Sequence, residues 1–194
     1  MRSSPILVAL LNGGASSRFG EDKSLVVVDG RPLINHLIAA AEDVSAQIVI
    51  VGRRPPFEVS IPVLLDAEPG AGPLGAILQA FAFAPDHALL ILPCDLARVT
   101  AAHLRALAAP LPANSDGRVP RLDSLPSPIP GFYAPSAHAA FAATYASGRR
   151  ALYPALRDLD LEYLTTKDLE GEGLDPRGLH DFDSPSDLAG LRTT

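Results

Sequence analysis

The amino-acid sequence predicts one three-layer α/β domain with a mostly parallel sheet, and three observations carry that expectation. Short runs rich in β-branched and aliphatic residues alternate with segments of helical spacing through the first half of the chain. Those runs are apolar throughout rather than every second residue, the pattern of strands covered on both faces. The chain has 194 residues, 47% of them hydrophobic and 20% charged, which is enough for one core without disulfide or metal support.

Pro5 to Leu11 reads as the first strand and runs straight into glycines. Residues 31 to 42 then place Leu33, Ile34, Leu37 and Ile38 on one helical face, with Pro32 near the first turn. Gln47 to Val51, closed by Gly52, is the second strand, and Val63 to Asp66 the third. A helix over Pro73 to Ala84 leads to a fourth strand, Ala88 to Cys94, which ends at Asp95. Thr100 can cap a helix through about Ala108. Pro110 to Pro135 holds seven of the 19 prolines and is expected to form loops and edge strands rather than helix or central sheet. Residues 136 to 147 and 149 to 159 read as helices, Leu161 to Thr165 as a strand, and Lys167 to Gly178 as a polar loop. Ser184-Pro185-Ser186-Asp187 starts a last helix, with Ser184 as its cap.

Composition narrows the function classes. The longest apolar runs, Ile6 to Leu11 and Ala88 to Leu92, fall far short of the roughly 18 residues a bilayer span needs. The first of them meets Asn12-Gly13-Gly14 rather than a cleavage site, so a cytosolic protein is expected. One cysteine, Cys94, excludes an internal disulfide and a multi-cysteine zinc site, and the five histidines show no ligand spacing. A formal charge of −6 opposes a broad grip on nucleic acid or anionic lipid, so an anionic ligand must be held locally.

Ligands of such sheets bind at the carboxyl ends of the strands, and three candidate sites fall there. The first is Leu11-Asn12-Gly13-Gly14-Ala15-Ser16-Ser17-Arg18-Phe19-Gly20-Glu21-Asp22-Lys23. Gly13 and Gly14 permit positive φ and close backbone approach, and Arg18 and Lys23 supply charge to phosphate oxygens. The spacing is not that of a Walker A loop, and an ordinary turn with solvated charges remains the plain alternative. The second, Gly70-Ala71-Gly72-Pro73-Leu74-Gly75, formally matches a dinucleotide fingerprint with Asp95 twenty residues on. Ala67-Glu68-Pro69 separates it from its strand, however, and a glycine-rich turn in which Pro73 opens a helix accounts for it equally well. The third is Pro93-Cys94-Asp95, whose carboxylate suits Mg²⁺, an ion bound through one or two carboxylates plus substrate phosphates. Asp183 is the candidate second carboxylate, and is equally explained as a turn or cap residue.

In this order the three sites resemble the MobA family of molybdenum cofactor guanylyltransferases, within the Rossmann-like nucleotidyltransferase superfamily, over nearly the whole chain. The family's Leu-Ala-Gly-Gly-x-Ser-x-Arg-Met-Gly-x-x-Lys stands here as Leu11 to Lys23, with Asn12 for Ala and Phe19 for Met. Its Asp and Gly-Pro-Leu-Ala-Gly appear as Asp66 and Gly72-Pro73-Leu74-Gly75, its Pro-Cys-Asp as Pro93-Cys94-Asp95, and its Asn-x-Asn-Thr-Pro as Asp181-Phe182-Asp183-Ser184-Pro185. Gly131-Phe132-Tyr133 and Ser147-Gly148-Arg149-Arg150 resemble its second half.

The resemblance implies that Leu11, Asn12, Gly13 and Gly14 contact a nucleotide, Lys23 its phosphates, Asp66 the nucleoside end and Asp95 a Mg²⁺. It implies transfer of GMP from GTP to the phosphate of molybdopterin or its molybdenum form, with pyrophosphate released. Residues 1–109 would then be the nucleotide-binding half and 110–194 the acceptor-binding half, with Arg149 and Arg150 either ligands of the acceptor's phosphate or solvated helix residues. Molybdoenzymes or other cofactor-biosynthesis proteins are the implied partners. Two departures bear on the site. Val51 stands where the family often has asparagine near the base, with Asn12 the neighbour expected to compensate, and the late asparagines are Asp181 and Asp183. The competing readings are another nucleotidyltransferase, for example cytidylyl transfer, and a nucleotide-binding module without catalysis. A dinucleotide-dependent oxidoreductase using Gly70 and Gly72 is more distant.

Overall fold

The structure, a computed structural model, describes residues 4–13, 23–66, 68, 70–122 and 125–181. The expected fold class is the one observed: a seven-stranded, mostly parallel sheet between two layers of helices. Its first strand, β1 (Ile6–Asn12), lies between β4 (Ile48–Gly52) and β6 (Ala88–Pro93) and runs parallel to both. Beyond β4 lies β5 (Val63–Leu64), also parallel. On the other side β8 (Gly131–Tyr133) pairs antiparallel with β6 and with β7 (Gly117–Arg121), and β7 pairs in parallel with β9 (Leu161–Thr165). The sheet order is β5-β4-β1-β6-β8-β7-β9, so only β8 is reversed.

The apolar runs of β1, β4 and β6 supply both faces. Val8, Leu10, Ile50, Leu90 and Leu92 face one side, against α1 (Leu33–Glu42), α3 (Ala101–Leu107) and α6 (Thr166–Gly171). Leu7, Ala9, Val49, Leu89 and Ile91 face the other, against α2 (Gly72–Phe83), α4 (His138–Ala146) and the single turn α5 (Tyr153–Leu156). Fully burying each of the valine, leucine and isoleucine side chains contributes about 1.5–3 kcal/mol, so the centre of the sheet is the stable frame on which the loops stand. Tyr133 belongs to the second core. It meets Phe141 edge-on with centroids 5.0 Å apart, its hydroxyl donates to the Pro128 carbonyl at 2.6 Å, and burial pushes its pKa upward.

Four expectations are corrected. The helix expected over residues 149 to 159 is reduced to the single turn α5, Tyr153–Leu156. Arg31 and Pro32 do not begin α1 but form β3 (Arg31–Pro32), which pairs with β2 (Val27–Val28) across an Asp29-Gly30 turn. Both turn residues have positive φ, 45° and 77°, as a two-residue hairpin turn demands. The proline-rich segment contributes two interior strands, not edges. Pro120 is tolerated inside β7 because pairing with β8 reaches only Arg118, so at Pro120 the strand has one neighbour, β9. The expected polar loop at 167–178 contains α6 and a 3-10 turn, Pro176–Leu179. Thr165 and Asp168 cap α6 reciprocally and Leu169 anchors it in the core, which outweighs its polar composition. The helix expected from Ser184 lies outside the described residues. No helix among the described residues is long and apolar enough to cross a membrane.

Candidate functional site

From β1 the chain passes to β4 and β5 on one side and to β6 on the other, which opens a crevice at the carboxyl ends of β1, β4 and β6. A cavity of about 540 Å³ occupies it, walled by Asn12, Gly13, Asp66, Gly72, Pro73 and Asp95 among others. Five of the expected site residues meet there: Leu11, Asn12, Gly13, Asp66 and Asp95. Asp66 is exposed beyond β5, yet its Oδ2 would stand 3.9 Å from a Cβ built on Gly13, so the ends of β1 and β5 converge across β4. Gly13 does not use the positive φ that a glycine permits. The residues expected at Gly14, Arg18 and Asp183 lie outside the described residues. So does the Lys23 side chain, although its backbone opens the 3-10 turn Lys23–Leu25. The next residue, Ser24, is buried against the cavity.

Backbone geometry explains why the crevice keeps its shape. The Asn12 carbonyl accepts the Arg53 N–H at 2.6 Å, and Asn12 Nδ2 donates to the Arg53 carbonyl at 2.8 Å. This double tie joins the ends of β1 and β4, and it commits the amide nitrogen that was expected to compensate for Val51. Gly52 permits it, with φ +114° and no room for a Cβ, which would lie 2.5 Å from the Asn12 oxygen. Val51 is 1% exposed, packs toward α2, and brings only hydrocarbon to the cavity wall.

The opposite wall is the start of α2. Gly72 and Pro73 line the cavity, and the proline occupies the first turn, where a missing N–H removes no helical bond. The unpaired amides and positive dipole end of this twelve-residue helix favour an anion there. The glycine-rich turn is therefore a helix opening that also walls the site. Asp95 follows β6 on the third side, half-buried. Cys94 beside it packs into the core as a small hydrophobe.

The structure adds residues that sequence reasoning missed. Arg53 is an exposed cation lining the cavity one residue past β4, and the Gly52-Arg53 strand end was the available signal. Ile129 reaches the cavity from the far half of the chain, because the reversed strand β8 starts at the ligand side. Arg149 and Arg150 lie in the connection between α4 and α5, not within a helix.

A mostly parallel sheet with a cavity at its switch point, walled by a helix N-terminus, is an architecture that suits nucleotide-handling α/β proteins, and comparison with known proteins makes the class specific. The family model for the MobA-like NTP transferase domain matches residues 8–164. A molybdenum cofactor guanylyltransferase of Xanthomonas euvesicatoria is 39% identical over 103 residues, 52% of each chain, so the match spans about half that relative's length. A probable molybdenum cofactor guanylyltransferase of Methanothermobacter thermautotrophicus is 28% identical over 93% of this chain and 96% of its own. The molybdopterin-guanine dinucleotide biosynthesis protein A of Archaeoglobus fulgidus superposes with a TM-score of 0.81 at 23% identity, covering 95% of this chain and 96% of its own. A 2-C-methyl-D-erythritol 4-phosphate cytidylyltransferase from Thermus thermophilus shares the fold at a TM-score of 0.66 and 17% identity, over 95% of this chain and 96% of its own. The fold is that of Rossmann-like nucleotidyltransferases. The chain belongs to the MobA-like NTP transferase family.

Proposed function

We propose that the protein transfers GMP from GTP to the phosphate of molybdopterin or its molybdenum form, releasing pyrophosphate. The observation that carries this reading is the convergence of Asn12–Gly13, Asp66 and Asp95 on one cavity at the start of α2, in a member of this family. The names of the relatives favour guanylyl transfer and the pterin acceptor.

In this reading the triphosphate lies along the Gly13 backbone and the α2 N-terminus, with the nucleoside toward Asp66. An oxygen of the acceptor phosphate attacks the α-phosphorus in line. The bond from the α-phosphorus to the oxygen bridging to the β-phosphate breaks, and pyrophosphate leaves with the electron pair. Lys23 and Arg18 offset the charge that builds on the triphosphate, and Arg53, which lines the cavity, supplies a third cation. Among the described residues no three carboxylate, imidazole or thiol side chains meet, so a cation here would be held by Asp95 with the nucleotide's own oxygens, as Mg²⁺ commonly is. Asp183 is the proposed second carboxylate. When bound, Mg²⁺ supplies positive charge to the phosphate oxygens. The cytoplasm is the proposed location.

Pyrophosphate release by the purified protein with Mg²⁺ and molybdopterin, assayed with GTP, CTP and ATP in parallel, tests reaction class and base preference together. Release with GTP alone is expected. Release with CTP alone would transfer the protein to cytidylyl chemistry, and no release with any of them despite GTP binding would sink the proposed acceptor or the catalysis. Lys23→Ala and Asp95→Ala are each expected to lower turnover by about 10²–10³, the usual effect of removing one preorganised charge-stabilising group.

A further inference from the structure

The loop between β5 and α2 carries Asp66 and Gly70 and leads into Gly72 at the start of α2, all three at the cavity. β5 is two residues long, Leu65 is 57% exposed, and Gly70 and Gly72 have positive φ of 81° and 66°. Within the loop itself the Ala71 N–H donates to the Glu68 carbonyl at 3.2 Å. At its start, Gln79 of α2 donates Nε2 to the Leu65 carbonyl at 2.7 Å, and a further tie, at Glu68, comes from the second half of the chain. Tyr145 of α4 donates its hydroxyl to Glu68 Oε2 at 3.1 Å, across 77 positions of sequence. The Arg150 guanidinium covers the Tyr145 ring, 3.9 Å from its centroid, while Nη1 donates to the Tyr145 and Arg149 carbonyls, each at 3.1 Å. The same two residues back the start of α2. A Cβ on Gly72 would lie 3.5 Å from the Arg150 carbonyl oxygen, and one on Gly75 would lie 3.5 Å from Tyr145 Cε2.

We propose that Tyr145 is a positioning residue for the nucleotide. Through Glu68 it holds Asp66, Gly70 and Gly72 where they wall the cavity, and the Arg150 guanidinium covering its ring keeps the ring in place. The inference rests on the nucleotide-transfer reading of the cavity. It makes the grip of the first half on its nucleotide depend on a hydroxyl in the second. A contact of this kind shifts binding by no more than the difference it makes between loop forms, so its removal has a bounded effect.

The test is titration of the full-length protein with GTP in the presence of Mg²⁺, comparing wild type, Tyr145→Phe, Glu68→Ala and the double variant. Tyr145→Phe keeps the ring and its stack, and removes only the donor. Its Kd for GTP is expected to rise about five-fold, the equivalent of one net hydrogen bond, while kcat at saturating GTP stays within about two-fold. Glu68→Ala should do the same, and the double variant should be no weaker than either single one. An unchanged Kd in Tyr145→Phe, or effects that multiply in the double variant, would overturn the proposal. A loss confined to the melting temperature would do so too, since a purely structural tie leaves Kd alone. Repeating the series with CTP and ATP keeps the two questions apart. A wild-type preference for either overturns the guanylyl reading, and the variant-to-wild-type ratio for the preferred nucleotide still decides the role of Tyr145.

Discussion

A methyl group added at Gly52 would come within 2.5 Å of the Asn12 carbonyl oxygen at a φ of +114°, so Gly52→Ala must move one strand end or the other. Strain of this type costs about 1–3 kcal/mol, and it falls on the bonds that shape the cavity. Gly52→Ala is therefore expected to lower the unfolding free energy by that amount and to weaken GTP binding; denaturant titration and ligand titration on the same sample check both. Asn12, Gly13, Asp66 and Asp95 could be read from sequence because each ends a strand or follows one closely. Arg53 was signalled only by its place just past a strand end, where a lone arginine resembles any solvated charge, and its position is set by the hydrogen bonds to Asn12 across 41 positions. Asp175 offers a residue-level test by pH. Its side-chain and backbone hydrogen bonds from Arg177 hold its pKa at about 2, below the ordinary 3.8. A depressed carboxylate pKa stabilises the fold above the unfolded value, and that contribution is lost as pH falls from about 3.8 through about 2. Asp175→Asn is expected to flatten the acid limb of the stability curve in that window, as measured by unfolding at fixed denaturant from pH 5 to pH 2.

Among the elements, α3 shows how one buried polar side chain joins distant segments. His103 is 4% exposed; its Nδ1 accepts the Thr100 N–H at 3.2 Å, which leaves Nε2 to donate to the Asp175 carbonyl at 2.9 Å. Gly178 packs flat on the ring, and a methyl there would overlap it. His103→Ala loses both the cap of α3 and the tie to the 3-10 turn, at a cost of about 1–3 kcal/mol. His103→Gln keeps a capping-box residue and loses only the tie, so thermal unfolding should place it between Ala and wild type. At the other end of α3, Arg118 of β7 donates to the Leu107, Ala109 and Pro110 carbonyls, closing the helix C-terminus with a cation. Elements with a strong local signal, a continuous apolar run or a proline-opened helix closed by turn residues, were legible to within a residue or two, as in β1, α2 and β6. Those that were not depend on pairing or anchoring. The hairpin of β2 and β3 was signalled by Asp29-Gly30, but two-residue strands carry no period. The helix α6 was hidden in polar sequence because its stability comes from one capping box and the single buried Leu169.

For the molecule as a whole, alternation of strands and helices made the fold class legible, whereas strand order was not. Nothing local states that a three-residue β8 enters reversed between β6 and β7, because that pairing is decided by segments far apart in sequence. The same order predicts where the fold opens last. β1 is paired on both sides and its inner residues Val8 to Leu10 are fully buried, while β5 pairs on one side through two residues. Hydrogen exchange is expected to be slowest in β1 and β6 and fast in β5; equal protection of β5 and β1 would contradict that. The reversed strand also sets a timetable on the ribosome. Once Pro93 emerges, β5, β4, β1 and β6 can assemble, but the outer edge of β6 has no partner until Gly131–Tyr133 emerges. At ~5–20 residues per second, the roughly 40 residues between them leave that edge open for on the order of two to eight seconds. During that interval the newborn chain offers an unpaired, doubly apolar strand to its neighbours on the polysome, and crowded synthesis is the condition under which it is most exposed to mispairing.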